Sequence, residues 1–219
     1  MIAHGDGNLL KACVSISLLS AYVPATTAQL TNSAEEHIRE TQTPCISVLV
    51  INTARVPEDT LFVALDKAGL IFRGAGVRLI WVGRPRGSLQ QAAFPDSRSD
   101  SANMLVLRVI SRPMSGFASR DALGCAFVAG EGSKYASVFR DRVLSATQGG
   151  RYSEGMLMGH AIAHELGHLL LGTSAHTQYG LMAGRWRTNE LDRAEVGLLQ
   201  FSPGEAARLR SELRCTTDK

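Results

Sequence analysis

Between Gly159 and Gly172 the chain reads Gly-His-Ala-Ile-Ala-His-Glu-Leu-Gly-His-Leu-Leu-Leu-Gly, and inside it lies His164-Glu165-x-x-His168. On a helix, residues four apart stand one turn above the other on the same face, so His164 and His168 can aim both imidazoles at one point. Glu165 is about 100° further round, close enough for its carboxylate to reach a water held there without taking a ligand position. Met158, Ile162, Leu166, Leu169 and Leu170 fall on the side away from the histidines, which predicts a buried apolar stripe opposite a ligand face. Gly172 supplies a residue able to end the helix in a left-handed conformation. Neutral imidazoles paired in this way suit zinc, and a carboxylate beside them suits the removal of a proton from metal-activated water. The plainer alternative is a core helix with two partly buried histidines.

A chain of 219 residues fits one domain. Hydrophobic residues make up 45% and charged residues 20%, an ordinary globular balance. The net charge of +3 is too small to imply a nucleic-acid partner, and Arg84, Arg86, Arg108, Arg112, Arg185 and Arg187 are scattered rather than clustered.

Lys11 precedes an apolar run from Ala12 to Val23, followed by Pro-Ala-Thr-Thr-Ala-Gln. That is the pattern of a signal peptide over residues 1–28, with Thr26 and Ala28 as the small residues before a cleavage point after Ala28. The run is too short to span a bilayer, so no stable membrane insertion is expected, and the protein is expected to be secreted or periplasmic. The alternative is an apolar leader on a cytosolic protein. Residues 29–44 read as a flexible segment, and 45–219 as the domain. Past the leader, Cys45, Cys125 and Cys215 are odd in number and none forms a C-x-x-C pair. Either one disulfide and a buried thiol or three reduced thiols fit; a Cys45–Cys215 bridge is one pairing.

Cys45–Ile51 is rich in β-branched residues and reads as a buried strand. Pro57-Glu58-Asp59 opens a helix with apolar residues at Leu61, Ala64, Leu65, Ala68 and Ile71, and Val77–Val82 is a second strand. Strand, helix and strand over this length predict a crossover and a parallel pair. Further strands are expected at Met104–Ile110, Leu123–Val128 and Tyr135–Phe139, with Arg140–Ser145 running on towards the histidine helix. Ser202-Pro203-Gly204-Glu205 carries a capping box that starts a C-terminal helix.

A catalytic zinc generally has three protein ligands and one open position. The third candidate is His176, which follows the helix-ending Gly172 where the chain can turn back. His160, one turn before His164, suits a supporting or pocket-lining place better, because three successive turns do not converge on one ion. Glu190, Asp192 and Glu195 are acidic alternatives, read here as the polar face of a short surface helix.

In the order His164, Glu165, His168, Gly172, His176, then Gly180-Leu181-Met182, the chain resembles the metzincin metallopeptidases. Both gaps around Gly172 are one residue longer than in that family's H-E-x-x-H-x-x-G-x-x-H pattern. The resemblance implies an α+β fold: a mostly parallel twisted sheet of about five strands with an antiparallel edge strand, a crossover helix, the histidine helix and a C-terminal helix. It also implies Met182 as an apolar floor beneath the metal and Leu123–Val128 as an edge that pairs with an extended peptide. The activity expected is that of a monomeric zinc-dependent endopeptidase acting on a peptide or protein substrate, with Zn2+ on His164, His168 and His176 and Glu165 as general base. The competing expectations are an exported zinc-binding module of the same fold without peptidase activity, and a structural domain whose histidines only fill the core.

Overall fold

A five-stranded sheet, in the order β2-β1-β3-β5-β4, carries the molecule. The computed structural model describes residues 43–83, 104–112, 121–129 and 133–217. The expected signal peptide, most of the segment after it and residues 84–103 lie outside the described residues, as does the side chain of Cys215 and with it any pairing to Cys45. In chain order the elements are β1 (Cys45–Asn52), α1 (Glu58–Gly74), β2 (Arg78–Val82), β3 (Leu105–Ile110), β4 (Gly124–Ala129), β5 (Ser133–Phe139), α2 (Arg140–Thr147), α3 (Glu154–Leu171), α4 (Thr188–Glu195) and α5 (Pro203–Thr217). The β1–β2, β1–β3 and β3–β5 pairs are parallel. Only β4, at the edge, runs antiparallel, with Gly124 opposite Val138 and Ala126 opposite Ala136.

Alternation decides which side of the sheet is covered. Ile46, Val48 and Val50 of β1, Leu105, Leu107 and Val109 of β3, and Ala136 and Val138 of β5 are all buried, and they share one core with the apolar residues of α1 and α3. Side chains two apart along a strand point to the same face, so these positions line the helix-covered side. On α1 the residues Leu61, Ala64, Leu65, Ala68 and Ile71 are buried, as their spacing predicts. The crossing of α1 and α3 is tight. A Cβ on Gly159 would stand 2.7 Å from the Ala64 carbonyl oxygen and 2.8 Å from Lys67 Cβ, so the two helices approach at a point where only hydrogen fits.

Two expectations need correction. Arg140–Ser145 is not a run-on but the start of a helix of its own, α2, which follows β5 without a loop. Its first residue ties three elements together: Arg140 Nε donates to Glu154 Oε1 at 2.8 Å, and Nη1 donates to the Ala54 carbonyl at 3.3 Å. The charge pair anchors the first turn of α3 to the corner after β1. The second correction concerns α3 itself. The spacing predicts one buried stripe and one open ligand face, yet His160, His164, Glu165 and His168 are buried along with Leu157, Met158, Ile162, Leu166 and Leu169. The helix is enclosed almost all round because α1, the sheet and the chain after α3 surround it; His164, Glu165 and His168 face a cleft, not bulk water.

The ends of α3 follow local chemistry. Ser153 Oγ accepts from Met156 N at 3.4 Å as the N-cap. Gly172 takes φ 60° and ψ 31°, a left-handed conformation that glycine adopts without penalty, and the helix stops there. At α5 the expected box forms, with Ser202 N donating to Glu205 Oε2 at 2.7 Å and Glu205 N to Ser202 Oγ at 3.3 Å. Among the described residues no helix is long and apolar enough to cross a membrane.

Candidate metal centre

His164 and His168 occupy consecutive turns of α3, and their Nε2 atoms stand 3.0 Å apart. The left-handed turn at Gly172 sends the chain back across the end of the helix, and His176 brings its Nε2 to 3.2 Å from that of His168. Among the described residues these three histidines are the group able to hold a metal ion. The longer gaps around Gly172 do not keep His176 away. One more helical residue turns the chain by about 100°, and one more loop residue gives it room to return.

Main-chain carbonyls fix the rings. His164 Nδ1 lies 2.7 Å from the Leu181 carbonyl oxygen, and His168 Nδ1 lies 2.8 Å from that of Thr173. A carbonyl can only accept, so each Nδ1 carries the proton and each Nε2 keeps a free lone pair. Two lone pairs 3.0 Å apart repel unless something positive lies between them. Nitrogens bound to a tetrahedral zinc at about 2.0–2.1 Å stand about 3.3 Å from one another, close to the spacings found. The donor set therefore fits zinc. Burial pulls His164 down to about 4, with the charges of His168 and His176 adding to the effect, and burial lowers His168 as well. Both are held in the neutral form that metal binding requires.

The support beneath the site comes from the turn at Gly180–Ala183. Thr177 N donates to the Met182 carbonyl at 2.9 Å and Ala183 N to that of Gly180 at 3.2 Å. Leu181 and Met182 are buried. The Leu181 carbonyl also accepts from Trp186 Nε1 at 3.1 Å, and the Trp186 ring meets His164 edge-on with centroids 5.8 Å apart. Trp186 thus braces the same carbonyl that orients His164. Nothing in the sequence motif marks Trp186 for this part.

Glu165 faces the same cleft as the three histidines. That cleft, about 910 Å³, runs between α3, the edge strand and the segment after His176; Leu123, Gly124, Ala126, Glu165, His176 and Trp186 are among its walls. Burial alone raises Glu165 to about 8. His160 is elsewhere: it is fully buried, does not line the cleft, and its Nδ1 donates to the Met156 carbonyl at 2.8 Å. The three acids weighed as alternative ligands are also apart from the cluster. Glu190 is buried, contrary to its expected place on a polar surface face, and its Oε2 accepts from Arg187 N at 3.1 Å as a helix cap. Asp192 takes the Tyr152 hydroxyl at 3.0 Å and Arg151 Nη2 at 2.8 Å, while Glu195 accepts from Ser153 N at 2.7 Å. Asp192 and Glu195 thus fasten α4 to the start of α3.

No family model and no curated protein matches this chain. Among solved structures, a zinc-dependent peptidase from Methanocorpusculum labreanum (strain Z) is similar, with a TM-score of 0.51 and 15% identity over 74% of this chain and 99% of that one. At that identity the likeness is one of fold: a zinc-peptidase-like arrangement of sheet and helices.

Proposed function

We propose that the chain is a zinc-dependent endopeptidase, with zinc on His164, His168 and His176 and Glu165 as general base. The observation that carries this is the convergence of three histidine Nε2 atoms, those of His164 and His168 with free lone pairs, onto one cleft that also holds the Glu165 carboxylate. When bound, zinc supplies a Lewis acid that polarises a carbonyl and brings the pKa of a water towards about 7. Glu165 takes the proton from the attacking water and hands it to the departing amine. Its raised pKa belongs to the metal-free protein; a nearby cation favours the carboxylate and draws it back down.

The edge strand accounts for peptide as the substrate class. Among the described residues β4 is paired on one side only, and Leu123 to Ala126 line the cleft beside Glu165. An extended peptide can add to that free edge through main-chain hydrogen bonds, which lays a scissile bond along the cleft. The rival reading of a closed zinc module without activity is disfavoured by the size of that cleft. Export through residues 1–28 belongs to the same proposal.

Zinc content and cleavage of a fluorogenic peptide library, measured on the same samples, test the reading. Glu165→Gln is expected to keep stoichiometric zinc and lose cleavage. Full activity in that variant would remove Glu165 from the mechanism, and a wild-type protein that binds no zinc would end the proposal.

A further inference from the structure

Among the described residues nothing donates a hydrogen bond to Glu165. Its side chain is buried against β4, so packing must set where its carboxylate stands. The surface it packs on is the main chain of β4. A Cβ built on Gly124 would lie 2.7 Å from Glu165 Cγ, 2.8 Å from Glu165 Oε1 and 2.7 Å from the Ser137 carbonyl oxygen. Ordinary contact begins at 3.4 Å, so any side chain at this position pushes the glutamate by roughly 0.6 Å or more, or lifts the strand off β5. The glycine is not there for its backbone angles, since it is not among the glycines with positive φ. It is there for the missing atom.

We propose that Gly124 is the positioning residue for Glu165: the gap left by its absent side chain is the slot in which the carboxylate rests. This rests on the assignment of Glu165 as the base. It has a geometric consequence. The same residue begins the strand proposed to pair with substrate, so one main-chain position sets both the peptide's track and the base's distance from it. Misplacing a catalytic group by about 1 Å can cost about 100-fold in rate.

The test uses the zinc-loaded full chain and the fluorogenic peptide mixture. Gly124→Ala is expected to keep stoichiometric zinc and a KM within about twofold of wild type while kcat falls about 10- to 100-fold. A wild-type kcat in that variant, or a loss confined to KM, overturns the proposal. Thermal stability gives a second reading that needs no activity. If the glutamate is what the new methyl meets, Gly124→Ala should lower Tm clearly in the wild-type background and much less in Glu165→Ala, where the slot is empty. Equal losses in the two backgrounds, or failure to fold in both, place the conflict with Ser137 alone and overturn it. Glu165→Gln separates this from the underlying assignment: activity there defeats the base itself, whereas its loss together with an indifferent Gly124→Ala defeats only the slot.

Discussion

Acid should unfold the metal-free protein in part through a histidine that takes no part in the metal centre. His160 is fully buried, and its Nε2 has no hydrogen-bond partner among the described residues. Protonating it would place a second N–H in surroundings with nothing to accept it, near the positive charge of Lys67, and burial chiefly with that charge lowers its pKa from 6.5 to about 4. The unfolded chain binds the proton near pH 6.5, whereas the native chain refuses it until about 4. Stability is therefore full above pH 6.5, falls as the pH drops towards 4, and levels off below that. At about 1.36 kcal/mol per pKa unit the complete loss is about 3 kcal/mol, most of it gone by pH 4.5. His164 titrates in the same window and in the same direction. Glu165, raised to about 8, works the other way: between pH 4.5 and 8 the unfolded chain releases a proton that the native chain keeps, so its share of stability declines as pH rises. Both groups stay in a His160→Leu variant and cancel in a comparison. Urea unfolding of chelator-treated wild type and variant at about pH 7.5 and about pH 4.5 should show wild type losing about 2 kcal/mol more over that interval. Equal losses in the two proteins would refute the assignment of a buried, neutral His160.

His176→Ala leaves two nitrogens at the site, and its zinc affinity should fall by more than the roughly 10–100-fold that loss of an outer partner costs, as read by competition with a chromophoric chelator. Trp186→Phe removes one donor from the Leu181 carbonyl but leaves His164 attached to it, so its zinc affinity should drop by about 10-fold or less in the same assay. Gly159→Ala gains about 1 kcal/mol of helix propensity but drives a methyl against the Ala64 carbonyl of α1, an overpacking that costs about 1–3 kcal/mol; a net loss of up to about 2 kcal/mol is expected in urea unfolding.

What was legible in the amino-acid sequence had local causes. The β-branched run at Cys45–Ile51, the acid-led start of α1 and the Ser202–Glu205 box each determine structure over a few residues, and each appears within a residue or two of its expected place. His164, Glu165 and His168 were legible because a fixed periodicity puts them together, and His176 because a glycine told where the chain could turn. What could not be read depends on residues far apart in the chain. Glu190 is buried although the bond it makes, to Arg187 N, is local, and its charge suggested the opposite. α2 has no apolar periodicity of its own to announce it. The carbonyls of Thr173 and Leu181 carry no side-chain signature at all, and Gly124 resembles any strand glycine until Glu165 is seen resting on it.

Those two carbonyls set a rule for how this centre tolerates change. The ring orientation of both helical histidines is written in the path of the backbone, since any amino acid at 173 or 181 presents the same oxygen. Substitution there should leave the tautomers intact. Adding or deleting a single residue between Leu171 and Ala183 would shift the oxygens themselves, so the region should accept new letters far more readily than a new length.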